Sequence, residues 1–359
     1  MKVVFAPDKF AGTLSAAQAA HAMARGWRQA RPADDLVLVP MADGGGGTID
    51  VVEAAVAGAR RRYVEVADAR ARAVQAGWLA LPDGRALVEA AQACGLFRLT
   101  ARDRDPLLAT SYGVGQLLAA AAVGHREIMV GLGGSATVDG GGGMATALGH
   151  RLWRMDGNGV KVGAQFLADL DRIQAGQPLP ASIVVASDVT CPLLGPSGAV
   201  AMFAPQKGAT EQDLPVLEAA LTRLADVAER DLDGGPWRDL GGAGAAGGLG
   251  FGLAAFCGAR IEVGAAAVAS LVGLDRALDG AAVVVTGEGA LDRQTATGKV
   301  PALVAARARE RGCAVLAVAG RVEDGAEAAF DTVVTLGPKG FRRAAELVTA
   351  RTAVLARAL

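Results

Sequence analysis

Short, continuously apolar runs recur along this chain: residues 3–6 (VVFA), 36–39 (LVLV), 128–130 (IMV), 183–186 (IVVA), 283–286 (VVVT), 314–318 (AVLAV) and 333–336 (VVTL). Most end close to glycine, aspartate or proline. Strands that are apolar at every position are buried on both faces, which is the situation of a parallel sheet covered by helices. The first intervening helix is well marked. Ser15-Ala16-Ala17-Gln18 is a capping box, in which each side chain satisfies an orphan helix donor, and Pro32 ends the helix near Arg31. Further helices are expected over residues 49–56, 107–122 and 211–229.

Between residues 60 and 99 the texture changes. Residues 63–66 and 77–81 alternate or turn on Pro82-Asp83-Gly84, which reads as an antiparallel hairpin rather than a strand–helix–strand unit. The fold class expected is therefore α/β with two α/β domains. Residues 1–62 and 275–359 would form a Rossmann-like parallel-sheet domain, and 63–274 a mixed α/β domain inserted into it. A chain of 359 residues is long for one core and comfortable for two. Residues 169–180 read as a polar connection.

Composition narrows the function. The 36 basic and 37 acidic residues are interspersed and leave a net charge of −1, and aromatic residues are 4% of the chain. That pattern is no footprint for nucleic acid or a membrane surface. Cys94, Cys191, Cys257 and Cys313 are far apart and do not cluster with His21, His125 or His150, which argues against a zinc site or a disulfide framework. The opening MKVVFAPDKF has no apolar core of signal-peptide length, and the uncharged stretch 241–259 is too rich in glycine for a membrane span. A cytoplasmic location is expected. The spacing Gly244, Gly248, Gly252 allows close helix packing, within the chain or between copies in a homo-oligomer.

Residues 128–149, IMVGLGGSATVDGGGGMATALG, pass from an apolar strand into a glycine-rich turn and then into a helix. Such a turn gathers unpaired backbone N–H groups at one point and suits a phosphate or carboxylate. Gly133, Gly134, Ser135 and Thr137 are the candidates there. Glycine-rich strand exits recur at 42–48 (ADGGGGT) and at 286–289, where Gly287 and Gly289 are candidates, and the glycine-rich stretch 241–252 opens another helix. Asp188 stands just past the strand 183–186, where carboxylates meet ligands in α/β proteins. The turn 204–209 is expected to carry one exposed lysine, Lys207. Glu288, Asp292 and Lys299 share one loop.

Phosphoryl transfer needs this combination: donors for phosphate oxygens, carboxylates for Mg2+, lysines for transferring charge, and a base for the attacking hydroxyl. Asp188, Glu288 and Asp292 are candidates for metal and base, and Lys207 and Lys299 for phosphate. Two other readings fail. Gly131-x-Gly133-x-x-Ala136 lacks the acid expected about twenty residues later in a dinucleotide site, and Gly298-Lys299 lacks the spacing and hydroxyl of a P-loop.

The motifs APDKF at 6–10, ADGG at 42–45, the glycine segment 131–143, SDVT at 187–190, PQKG at 205–208, the segment 244–250, and TGEG at 286–289 through Lys299 together resemble glycerate kinases of the bacterial type I family, in order and over essentially the whole chain. The resemblance implies an ATP- and Mg2+-dependent kinase that phosphorylates D-glycerate, usually at the 2-hydroxyl, with its site in the cleft of a two-domain α/β fold. It places Asp188, Lys207 and Asp8 in the catalytic set. Gly133, Gly134, Ser135, Thr137, Gly287, Gly289 and Lys299 then fall to the nucleotide, and Glu288 and Asp292 to the metal. The chain departs from the family pattern at Ala11, where a lysine is usual, and at Gly46, where a glutamate is usual; the two are read as a charge pair lost together. Cys191 replaces an asparagine and is read as a tolerated small side chain. A kinase of another small hydroxy acid, and a weakened nucleotide- or anion-binding homologue, are the alternatives.

Overall fold

The computed structural model describes residues 1–292, 299–337 and 342–359. Its contacts divide into two compact units. The first comprises Met1–Asp43, Asp50–Ala57 and Val263–Leu359, and the second Gly44–Ile49 and Gly58–Glu262.

The first unit is built on a five-stranded parallel sheet. In spatial order its strands are Thr332–Thr335, Ala314–Val322, Val283–Leu291, Lys2–Phe5 and Asp35–Leu38. Alternate residues of each strand enter two different cores. Val4, Val284, Val315 and Ala317 face one core with Ala265, Val300 and Val304 of the helices Gly264–Val272 and Val300–Arg309. Val3, Phe5, Val285 and Val318 face the other with Met23, Trp27, Val348 and Leu355 of Ala16–Ala30 and Ala344–Arg357. Burial on both sides is why these strands are apolar at every position. The capping box is present: Ser15 Oγ accepts from Gln18 N–H at 3.2 Å and Gln18 Oε1 from Ser15 N–H at 2.9 Å.

The second unit holds a six-stranded mixed sheet. Arg260–Glu262, Ser182–Ala186, Glu127–Gly131 and Arg85–Glu89 are mutually parallel, and Ala73–Ala80 and Arg60–Ala67 complete it as an antiparallel meander. The hairpin read around Pro82-Asp83-Gly84 joins Ala73–Ala80 to Arg85–Glu89. All of the apolar runs are strands.

Three local expectations need correction. The helix expected from residue 107 begins at Tyr112, because the Asp105 carboxylate accepts the N–H groups of Leu107 and Leu108 and holds a turn there. Within the supposed polar connection, Leu170–Gln174 is a strand, paired antiparallel with Arg151–Arg154. Third, the segment 286–289 forms no turn. Val283–Leu291 stays extended through Gly287 and Gly289, and a Cβ on Gly287 would lie 2.0 Å from the Val318 carbonyl oxygen of the neighbouring strand. Among the described residues, no helix is long and apolar enough to cross a membrane.

Candidate functional site

Because Arg85–Glu89, Glu127–Gly131 and Ser182–Ala186 run parallel, their carboxyl ends lie side by side, with Gly131 paired to Glu89 and to Ala186. A fourth segment, residues 44–47, packs against this edge. A Cβ on Gly131 would stand 2.2 Å from the Gly44 carbonyl oxygen, one on Gly133 2.6 Å from Gly45 Cα, and one on Gly44 2.4 Å from the Ala186 carbonyl oxygen. These strand exits are glycine-rich because backbone here touches backbone. Gly133 and Gly134 are exposed, and the N–H groups of Gly133, Gly134 and Ser135 donate to no acceptor among the described residues. Consecutive unspent donors at a sheet edge suit an anionic oxygen. Asp188 lies just beyond Ala186 on the same edge and is half-buried.

Directly behind the exposed glycines the turn is anchored twice. Asp139, fully buried, accepts from Ser111 N–H at 2.8 Å, Ser111 Oγ–H at 2.9 Å, Gly143 N–H at 3.2 Å and Gly141 N–H at 3.3 Å. Burial pushes its carboxyl up, against the pull of those four donors. Lys207 is the second anchor. The sequence suggests an exposed lysine, yet it is 2% exposed. Its ammonium donates to Ser135 Oγ at 3.1 Å and to the Thr137 carbonyl at 2.7 Å. Burial lowers its pKa to about 8, while the charge of Asp139 opposes that shift. These acceptors make an interior site tolerable for a cation.

The Gly244, Gly248, Gly252 spacing is spent inside the chain. A Cβ on Gly244 would meet the Pro192 carbonyl oxygen at 2.2 Å, and one on Gly252 the Gly140 carbonyl oxygen at 2.5 Å. Ala246, Gly247 and Gly248 form a left-handed corner inside Ala245–Cys257. The Cys191 thiol is held protonated by burial, as are Cys94 and Cys257, both pushed up to about 12.

The first unit carries a pocket of about 550 Å³ whose lining includes Asp8, Lys9, Asp43, Glu288, Asp292 and Lys299. Asp8 N–H donates to the Gly287 carbonyl at 2.9 Å, which carries the chain past Phe5 alongside Val283–Leu291. Lys9 Nζ lies 3.2 Å from Asp43 Oδ1 and 3.9 Å from Asp8 Oδ1, and Lys299 Nζ lies 3.5 Å from Asp292 Oδ1. Gly289 and Ala11 also line this pocket, and Ala11 is exposed. Each lysine thus stands beside a carboxylate in a concave, partly apolar surface. No three His, Cys, Asp or Glu side chains among the described residues converge as a metal cage. The carboxylates lining this pocket are hard oxygen donors, the ligand type that Mg2+ takes.

The structure therefore gathers Gly133, Gly134, Ser135, Thr137, Lys207 and Asp188 in the second unit, and Asp8, Glu288, Gly289, Asp292 and Lys299 in the first. Residue type alone did not signal the Lys9–Asp43 pair, the Asp139–Ser111 anchor or the left-handed alanine at 246. A clue to Asp139 exists: it is the lone acid in an otherwise neutral glycine turn.

The model of the glycerate kinase family matches residues 3–354. A glycerate kinase of Halalkalibacterium halodurans is 40% identical over 335 residues, spanning 92% of this chain and 88% of its own. The glycerate 2-kinase of Escherichia coli is 39% identical over 351 residues, spanning 94% and 92%. A crystal structure of a protein assigned as glycerate kinase 2 from Salmonella typhimurium LT2 superposes with a TM-score of 0.87 at 39% identity, covering 100% of this chain and 98% of that one.

Proposed function

This chain belongs to the glycerate kinase family, and we propose that it transfers the γ-phosphoryl group of ATP to the 2-hydroxyl of D-glycerate, giving 2-phosphoglycerate and ADP. The observation that carries this reading is the edge of the second unit, where the unspent N–H groups of residues 133–135 and the Asp188 carboxylate occupy the ends of adjacent parallel strands. Backbone donors fixed before the reaction stabilise charge on phosphoryl or carboxylate oxygens without reorganising. The choice of the 2-hydroxyl is supported by the likeness to the glycerate 2-kinase of Escherichia coli.

In this reading Asp188 accepts the proton of the substrate hydroxyl as its oxygen bonds to the γ-phosphorus. The bond from that phosphorus to the β–γ bridging oxygen breaks, and ADP leaves with the electron pair. Glu288 and Asp292 would hold Mg2+, which when bound neutralises charge on the nucleotide's phosphates. Lys299 and Lys9, each beside a carboxylate, orient anionic oxygens in the first unit's pocket. Gly133 and Gly134 supply backbone approach to anionic oxygens in the second unit, and Gly289 lines the pocket of the first.

The test is ADP release from purified protein with MgATP and D-glycerate, the products resolved by 31P NMR. A 2-phosphoglycerate resonance is expected. A 3-phosphoglycerate resonance keeps the kinase and overturns the assigned hydroxyl, and absence of ADP release overturns the activity.

A further inference from the structure

We infer that Lys207 is a positioning residue, whose enclosed ammonium ties the glycine turn 133–139 to the left-handed corner 246–248 and thereby aims the N–H groups of Gly133, Gly134 and Ser135. The inference rests on the reading of those N–H groups as the oxyanion cradle.

The connection can be followed atom by atom. Lys207 closes the single turn Pro205–Lys207, and Gly208 follows in the left-handed region at φ 103°. From there Nζ reaches Ser135 Oγ at 3.1 Å and the Thr137 carbonyl at 2.7 Å. Since Ser135 Oγ accepts from the ammonium, its own proton is directed to the Ala246 carbonyl at 3.1 Å. Ala246 is held at φ 57°, where an alanine does not rest unaided. The next residue completes the clasp. Gly140 N–H donates to the Gly247 carbonyl at 3.2 Å, and a Cβ on Gly247 would stand 2.0 Å from the Thr137 carbonyl oxygen and 3.0 Å from Lys207 Nζ.

This geometry is what a tether needs and a substrate contact does not. The lysine is almost wholly buried, and the acceptors its ammonium meets are neutral groups of the turn itself. Ser135 is the pivot: one of its atoms is the N–H of the cradle, another is the hydroxyl shared between Lys207 and Ala246. A displacement of about 1 Å in such a donor is enough to cost about a hundredfold in rate. A buried cation also has no use for flexibility, so its charge strengthens the two bonds that set the turn.

The test is a double-mutant cycle on Lys207→Met and Ser135→Ala, with kcat and both KM values measured on protein first shown to be active as the wild type. Inactivity of the wild type would reject the underlying kinase reading and not this one. Each single variant is expected to lower kcat about tenfold or more, and the double variant to lose no more than the worse single, because both break one linkage. Fold-losses that multiply would overturn the tether. Hydrogen exchange supplies a readout independent of turnover: the segment 131–139 exchanges faster in Lys207→Met, while the distant strand Arg60–Ala67 is unchanged. Unchanged exchange in 131–139 would also overturn it. If Lys207→Met does not fold, Ser135→Ala decides alone, and wild-type kcat in that variant rejects the inference.

Discussion

The backbone of Gly45 runs so close to Gly133 that a Cβ on Gly133 would lie 2.6 Å from Gly45 Cα. Gly133→Ala therefore forces two glycine segments apart at the point where the cradle is formed. Overpacking of this kind costs about 1–3 kcal/mol. A fall in the thermal midpoint together with loss of ADP release is expected, read by calorimetry and a coupled assay on the same preparation.

Removing the base has a different signature. Asp188→Asn keeps the shape of the edge and deletes the proton acceptor, so kcat should fall by about 10²–10⁴ while ATP binding persists. Calorimetric titration with nucleotide beside steady-state kinetics separates the two effects; an unchanged kcat would remove Asp188 from the reaction.

Asp139 is predicted to matter for stability first. Its carboxylate accepts four donors, two from Ser111 and two from the backbone of Gly141 and Gly143. In Asp139→Asn one of the acceptor oxygens becomes an NH2 group facing N–H donors in the interior. A loss of roughly 1–3 kcal/mol is expected from urea unfolding.

One pH dependence follows from His150. Its Nδ1 accepts from Gly176 N–H at 3.2 Å and its ring meets Phe256 edge-on at 5.1 Å, so the neutral imidazole is the form that fits. Burial lowers its pKa. The unfolded chain then binds the proton more readily than the folded one. The stabilisation is complete above the unfolded value of about 6.5 and is lost as pH falls toward the lowered folded value. Urea midpoints at pH 7.5 and 5.5 should diverge in the wild type, and diverge less in His150→Gln.

The departures at residues 11 and 46 can be tested because there is room for both changes. Ala11 is exposed at the rim of a pocket, and a Cβ on Gly46 would meet nothing within 4 Å. Gly46→Glu and Ala11→Lys should each change stability by less than about 0.5 kcal/mol. If the lost pair served turnover, the double variant exceeds both singles in kcat/KM; no gain in the double variant denies the pair a role.

Much of this was legible in the sequence, and what was not has physical causes. Strands buried on both faces announce themselves by continuous apolar runs, and the Ser15–Gln18 cap announces a helix. The pair Arg151–Arg154 and Leu170–Gln174 was hidden because each strand carries charged residues. Gly287 looked like a turn residue, but its missing Cβ is required by the neighbouring strand at Val318. Lys207 was expected in solvent, as lysines in polar turns generally are. Its burial depends on a carbonyl at Thr137 and a hydroxyl at Ser135, groups some seventy residues away that local reasoning cannot bring to it.

The order of strands in the first unit has a consequence for how the molecule is made. Lys2–Phe5 sits between Asp35–Leu38 and Val283–Leu291, and the helix Ala16–Ala30 is covered by Ala344–Arg357, where a Cβ on Gly26 would touch the Thr349 carbonyl at 2.0 Å. The second unit's residues all lie before Val263. On the ribosome it can close while its host sheet still lacks its central partner. The strands Lys2–Phe5 and Asp35–Leu38 must then wait, apolar and only partly paired, for segments more than two hundred residues later, and in that interval a chaperone has the most to protect.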